Sequence, residues 1–106
     1  MNEVPNDKYI KQLANGNTAF QEHLLGVMKR EFPEEKKLFS TLYNQKKYLQ
    51  TAEIVHKLKN KIGILGLEQG YQVAVDFEKE LKNEKTVLYP KFIVILENIE
   101  DFITTL

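Results

Sequence analysis

The feature that most constrains the fold of this chain is a stripe of apolar residues with helical spacing near its middle. Val55, Leu58, Ile62 and Leu65 recur every three or four residues. That spacing matches the period of about 3.6 residues in an α-helix, so the four side chains share one narrow face. The segment therefore predicts an amphipathic helix that buries one side against the rest of the chain.

The same period recurs along the chain, and the strict alternation of apolar and polar residues typical of a half-buried strand is absent. Asn15-Gly16-Asn17 and Gly66 mark helix ends, and Pro33 stands where the first turn of a helix is expected. The predicted helices span about residues 6–14, 17–32, 33–45, 47–65, 68–82 and 89–104. Short connections favour antiparallel neighbours. The prediction is one all-α domain over residues 1–106, an up-down four-helix bundle with one or two additional short N-terminal helices.

Composition excludes several classes of function. The chain has 106 residues, of which 42% are hydrophobic, and this suffices for one core. It has no cysteine and two histidines, so neither disulfides nor a metal site is expected. A single arginine without a dense basic patch argues against nucleic-acid binding. No apolar run approaches the ~18 residues of a membrane span, and no secretory signal opens the chain, so a cytoplasmic protein is expected.

A polar stripe lies roughly 130° from the apolar stripe of the same helix, at about 100° per residue. It contains His56, Lys59, Asn60 and Gly63. The imidazole should be solvated, with an ammonium group one turn away. Neutral imidazole is nucleophilic near neutral pH, and a lysine can hold phosphate oxygens as a point charge. The pattern suits a histidine that carries a phosphoryl group, although a histidine on a helix is more often an ordinary surface residue.

These residues resemble the signature of the histidine-containing phosphotransfer (HPt) domain of phosphorelays. The signature places a hydrophobic residue, a lysine, two small residues and a hydrophobic-acidic pair at fixed offsets from the histidine. The matching residues here are His56, Leu58, Lys59, Gly63, Gly66 and Phe77-Glu78. Two positions depart from the pattern, because Val55 replaces the usual alanine and Asn60 replaces the glycine after the lysine. The specific part of the resemblance covers about 27 residues, and the helix pattern extends it over the chain.

The resemblance implies a phosphoryl carrier. His56 would accept the group from the aspartyl phosphate of a receiver domain and return it to a second receiver, while Lys59 stabilises the phosphate. Glu78 would either hydrogen-bond the other ring nitrogen or pair with Lys82 at i+4. The chain itself needs no cofactor, since Mg²⁺ would be bound by the receiver. No glycine-rich nucleotide motif occurs, so ATP-dependent kinase activity is not expected.

The expected partners are response-regulator receiver domains, and a hybrid sensor histidine kinase if the domain belongs to one. The chain itself is expected to be a monomer. Docking is predicted to use Ile10 or Leu13, partly exposed near His56; if both are buried, they belong to the core. The other predicted partner-binding residues are Lys57, Asn60, Lys61 and Gly63. Lys57, Lys59 and Lys61 are expected to form a basic ring around the docking residues on the side of His56.

Charge supports the same surface. Residues 29–61 contain nine basic and four acidic residues, and residues 62–106 contain four basic and eight acidic. Solvated helix faces are the simpler explanation of this distribution, and the alternative is that positive potential around His56 attracts an acidic partner surface. The remaining histidine, His23, is expected to be structural or superficial. The alternative function is a helical interaction module, or a pseudo-HPt domain that binds receivers without phosphoryl transfer.

Overall fold

The computed structural model describes residues 3–106, and over this part of the chain it contains five α-helices and no strand. The helices are α1 (Lys8–Ala14), α2 (Thr18–Asn44), α3 (Tyr48–Ile64), α4 (Glu68–Lys82) and α5 (Tyr89–Ile103). The all-α prediction is confirmed, and the predicted bounds of the last three helices agree within one residue. None of the described helices is long and apolar enough to cross a membrane.

The predicted break at Pro33 is wrong, because α2 runs through this proline without interruption. Met28 and Phe32 before the proline and Phe39 after it are all buried on the same side of the helix. A proline inside a helix costs about 3 kcal/mol. Burial of a single large apolar side chain contributes roughly 1.5–3 kcal/mol. The continuous buried stripe therefore outweighs the proline, and the two predicted helices are one.

Particular residues account for the helix ends at the short loops before α2 and before α4. Asn15 and Gly16 adopt left-handed backbone conformations after α1, with φ of 47° and 88°. The Asn17 side chain then accepts a hydrogen bond from the backbone N–H of Phe20 at 3.0 Å, which caps α2. Gly66 has a φ of +81° after α3, and the Asn6 amide lies 2.8 Å from the place of a Cβ, so glycine is required there.

The core is formed where the helices meet. α3 packs against α2 and α4, and α5 packs against α4 and α2. The predicted apolar stripe of α3 is confirmed, since its four members are fully buried. At one end of the core an aromatic cluster fills the space between α2, α4 and α5, and the closest pair is the stacked rings of Tyr43 and Tyr89, with centroids 3.9 Å apart. The pKa of Tyr89 is raised, mainly because the hydroxyl is partly buried and to a smaller extent because Tyr43 lies beside it.

Residues 3–7, here called the N-terminal strap, tie the start of the chain to the α3–α4 turn. The Asn6 backbone N–H donates to the Leu65 carbonyl at 2.9 Å. The Glu3 carboxylate accepts from the N–H groups of Gln69 and Gly70 at 2.8 and 2.9 Å. A carboxylate is favourable at this end of the helix dipole, so the strap caps α4 and places α1 beside the turn.

Candidate functional site

The side of α3 that faces α4 carries the candidate site. Val55 and Leu58 are buried beneath it, and they fix the rotation of the helix about its axis. That rotation brings His56 and Lys59 toward the middle of α4, where Glu78 projects between the two helices. The sequence prediction that His56 is solvated is confirmed, since its side chain is 58% exposed.

His56, Lys59 and Glu78 form a triangle of side chains. Glu78 Oε1 lies 3.2 Å from His56 Nδ1 and 3.3 Å from Lys59 Nζ, and Lys59 Nζ lies 3.2 Å from His56 Nδ1. The side chains of Lys59 and Glu78 are each 14% exposed. The site therefore combines a solvated imidazole with a largely buried ion pair that contacts only one of its nitrogens.

The two contacts at Nδ1 require opposite proton positions. An Nδ1–H donates to the Glu78 carboxylate, whereas an unprotonated Nδ1 accepts from the Lys59 ammonium. The first arrangement leaves Nε2 with a free lone pair, and the second places the proton on Nε2. Because the distances from Nδ1 to the two partners are equal at 3.2 Å, the site accommodates both tautomers. Only the tautomer bonded to Glu78 presents a nucleophilic Nε2 to the exterior.

Glu78 remains ionised over a wide pH range. Burial by itself would raise the pKa of this carboxyl, but hydrogen bonds from Lys59, Lys82 and His56 outweigh burial and lower the pKa. Lys82 contributes through the second oxygen, with Nζ 3.3 Å from Oε2. The two alternatives for Glu78, contact with the imidazole and pairing with Lys82, are therefore both realised, one at each oxygen.

Tyr71 is a site residue that sequence reasoning missed. Tyr71 is 39% exposed and lies beside Gly63 and Lys59. Its i to i+7 spacing from Glu78 on the same helix was the available signal. Gly63 is partly buried, and near it Tyr9 and Gln12 of α1 line a hollow of about 430 Å³.

The predicted basic ring around His56 is wrong in part. Lys61 is not a surface residue, because its side chain is 11% exposed and its Nζ lies 2.9 Å from Glu31 Oε1 and 3.1 Å from Glu35 Oε1. Burial would lower the pKa of Lys61, but the bonds to both carboxylates raise it. The bond from Lys61 lowers the pKa of Glu31. Two carboxylates of α2 thus draw this lysine into the α2–α3 interface.

The predicted polar stripe of α3 divides between two neighbours. His56, Lys59 and Gly63 face α4, whereas Asn60 is exposed and lines a different hollow, of about 380 Å³, between α2 and α3. Lys57, which is also exposed, lines this second hollow. Asn60 and Lys57 remain accessible to a partner, but they lie on the α2 side of the histidine.

The prediction for α1 holds for one of its two residues. Leu13 is 48% exposed, while Ile10 is fully buried and belongs to the main core. Because α1 lies against α2, its inward face is covered at Ile10 and its outer face carries Leu13 and Tyr9, which is 46% exposed. These two share a face at i, i+4 spacing.

Two further observations concern chemistry elsewhere. His23 is exposed on α2, as one of the two predicted alternatives requires. No group of three histidine, aspartate or glutamate side chains within residues 3–106 is arranged to hold a metal ion.

Comparisons of the chain with protein-family models, curated proteins and solved structures give no match.

Proposed function

We propose that this chain is a histidine phosphotransfer domain in which His56 Nε2 accepts and donates a phosphoryl group. The observation that carries the proposal is the triangle of His56, Lys59 and Glu78, in which both side-chain partners engage Nδ1. A carrier needs one nitrogen oriented by the protein and the other accessible to a partner, and the 58% exposure of the side chain fits this need. The proposed partners are receiver domains, each supplying its aspartate and Mg²⁺.

The proposed step begins with Nδ1–H donating to Glu78. The Nε2 lone pair attacks the phosphorus of the receiver's aspartyl phosphate, the N–P bond forms, and the acyl O–P bond breaks to release the carboxylate. The ring gains positive charge in this step, and the Glu78 carboxylate stabilises it through Nδ1–H. Lys59 is then free to contact the phosphate oxygens, which lie within its reach one turn along the helix. The reverse sequence returns the group to a second receiver.

The proposed architecture is that of an antiparallel up-down four-helix bundle formed by α2 to α5, with α1 as one additional helix. Packing of α3 between α2 and α4 supports it, as do the short connections 45–47, 65–67 and 83–88. We propose a monomer that docks receivers through the exposed Tyr9 and Leu13 of α1 together with Tyr71 of α4. Tyr9 lines the hollow at Gly63, the ring of Tyr71 lies against this glycine, and Gly63 lies two turns from His56 on the same face of α3.

One observation favours a second candidate, a pseudo-HPt domain that binds receivers without accepting phosphate. The ring of Tyr71 lies against Gly63, and Asn60 stands exposed where HPt domains have glycine, so the approach to His56 is narrower than the resemblance implies. The intact triangle argues for transfer, since a binding module would not require a lysine and a glutamate on the same imidazole nitrogen.

The deciding experiment is incubation with a receiver domain phosphorylated by a small phosphodonor. We expect label on the chain that is stable in base and labile in acid, as expected of a phosphorus–nitrogen bond. His56→Gln should remove the label, while His23→Gln, a change of the exposed histidine on α2, should retain it. Both variants should unfold within about 0.5 kcal/mol of the parent, because both side chains are exposed. Absence of label on the parent, with receiver binding retained, would establish the pseudo-HPt alternative.

A further inference from the structure

The ring of Tyr71 is seated on Gly63. A Cβ built at Gly63 would lie 3.1 Å from Tyr71 Cδ2 and 3.5 Å from Cε2. The first distance is tighter than ordinary van der Waals contact, so the ring occupies the space that a side chain at Gly63 would need. In this chain the absence of a side chain at Gly63 allows α3 and α4 to pack together through the Tyr71 ring.

The same ring lies beside the Lys59 ammonium. Lys59 Nζ is 6.0 Å from the centroid of the Tyr71 ring, at the outer limit of a cation–π contact. The same nitrogen lies 3.2 Å from His56 Nδ1 and 3.3 Å from Glu78 Oε1. The neighbours of the ammonium are thus the tyrosine ring and the two groups that decide the imidazole tautomer.

We propose that Tyr71 is a positioning residue: its ring, seated on Gly63, holds the Lys59 ammonium at His56 Nδ1 and thereby sets the balance between the two imidazole tautomers. Lys59 at Nδ1 favours the proton on Nε2, and Glu78 favours it on Nδ1. Since the two distances are equal, a small change in the position of Lys59 moves the balance. The consequence for phosphoryl transfer rests on the proposed function, but the effect on the tautomers does not.

Other charged groups near the triangle leave this mechanism intact. Lys82 contacts Glu78 through Oε2, whereas His56 and Lys59 use Oε1, so Lys82 does not compete for the same oxygen. Lys61 is held by Glu31 and Glu35 at the α2–α3 interface. Lys59 is therefore the cation whose placement Tyr71 can control.

The test is the ratio of Nδ1–H to Nε2–H tautomers of His56, read from imidazole ¹⁵N chemical shifts in the unphosphorylated protein. The spectra are recorded at about pH 8. Tyr71→Leu keeps apolar bulk and removes the aromatic face, and we expect it to raise the ratio about two- to fivefold. Tyr71→Phe keeps the face and should leave the ratio unchanged. The exposed His23 provides an internal reference.

Two further variants link the effect to Lys59 and Gly63. Lys59→Ala should raise the ratio at least as far as Tyr71→Leu, and adding Tyr71→Leu to it should produce no further change. Gly63→Ala, which forces the ring to move, should shift the ratio in the same direction. An unchanged ratio in Tyr71→Leu, or an equal shift in the Lys59→Ala background, would overturn the proposal. Because no receiver is used, neither result depends on whether His56 is phosphorylated.

Discussion

Glu78 is the residue on which the geometry of the site depends. It lies on α4 and accepts hydrogen bonds from Lys59 of α3 and from Lys82 one turn further along α4, and its Oε1 lies 3.2 Å from His56 Nδ1. The carboxylate thus links two helices and orients the imidazole through Nδ1. An ion pair that is largely shielded from water has a more defined geometry than a surface pair, and this keeps Lys59 within reach of Nδ1.

Removal of Lys59 tests its proposed role in transfer. Lys59→Ala should slow phosphoryl transfer from a receiver by about 10- to 100-fold, because losing such a charged contact costs on the order of 1–3 kcal/mol. The variant should still bind the receiver. Lys57→Ala, a change of an exposed lysine on the α2 side, is the matched control. Single-turnover rates within twofold of the parent would refute a catalytic role for Lys59.

The pKa of Glu78 predicts a specific dependence of stability on acid. Since the folded-state pKa lies below the unfolded value of about 4.3, the stabilisation is complete above that pH and is lost as pH falls through the folded-state pKa. Glu78→Gln should cost about 1 kcal/mol at pH 7, because two of the three partners are exposed.

The measurement is urea unfolding of both proteins between pH 7 and pH 3. The difference in unfolding free energy between the parent and Glu78→Gln should shrink toward zero at the acid end. A difference that stays constant over the whole range would mean that the Glu78 charge does not contribute to stability.

At the scale of elements, α2 organises the molecule. It has 27 residues, which at about 1.5 Å per residue gives a length of roughly 40 Å. The longest dimension of the molecule is 44 Å, so α2 spans nearly all of it. Before Pro33, α2 carries Glu31, which binds Lys61 of α3, and after Pro33 it carries Phe39 of the aromatic cluster. A break at Pro33 would uncouple these two contacts.

Because α2 is continuous, replacing Pro33 should stabilise the protein. Pro33→Ala should raise the free energy of unfolding by about 1–3 kcal/mol, because alanine restores the backbone donor and removes the ring clash inside the helix. Glu34→Ala, next to it and exposed, should change stability by less than about 0.5 kcal/mol. Chemical unfolding followed by circular dichroism measures both. A loss of stability in Pro33→Ala would indicate that the proline begins a separate helix, where it is favoured.

At the scale of the whole molecule, α1 has two distinct faces. Ile10 closes the core, while Tyr9 and Leu13 remain exposed, and Tyr9 lines the hollow at Gly63. The N-terminal strap holds this helix at the α3–α4 turn through Glu3 and Asn6. The exposed face of α1 is therefore fixed relative to the site by contacts that lie outside α1 itself.

Alanine substitutions on the two faces of α1 should separate stability from binding. Ile10→Ala should lower the free energy of unfolding by about 2–5 kcal/mol, as expected for a fully buried isoleucine. Leu13→Ala should lower it by less than about 1 kcal/mol and weaken receiver binding by about 1–3 kcal/mol. Thermal unfolding and calorimetric titration with a receiver measure the two effects. If Leu13→Ala leaves receiver affinity unchanged, α1 does not take part in docking.

Sequence alone determined the all-helical class, the bounds of α3, α4 and α5 and the exposure of His56, because each depends on spacing along a single helix. Val55, Leu58 and Ile62 define the buried face of α3, and the position of His56 opposite them follows from the helical period. Contact between Glu78 and His56 was one of two alternatives that followed from the HPt resemblance, since Glu78 lies on another helix and no local pattern relates it to His56. The ion pair between Lys59 and Glu78 was not predicted.

Only the tertiary structure decided which charged and aromatic side chains meet. Lys61 has the same intrinsic character as Lys57, yet Glu31 and Glu35 of a different helix bury one and leave the other exposed. By local preference Pro33 begins a new helix, but packing on both sides of it keeps α2 continuous. Tyr71 reaches Gly63 and Lys59 only through the rotation of α4 against α3. Such contacts join residues distant in sequence, and their energies exceed the local preferences from which sequence reasoning starts.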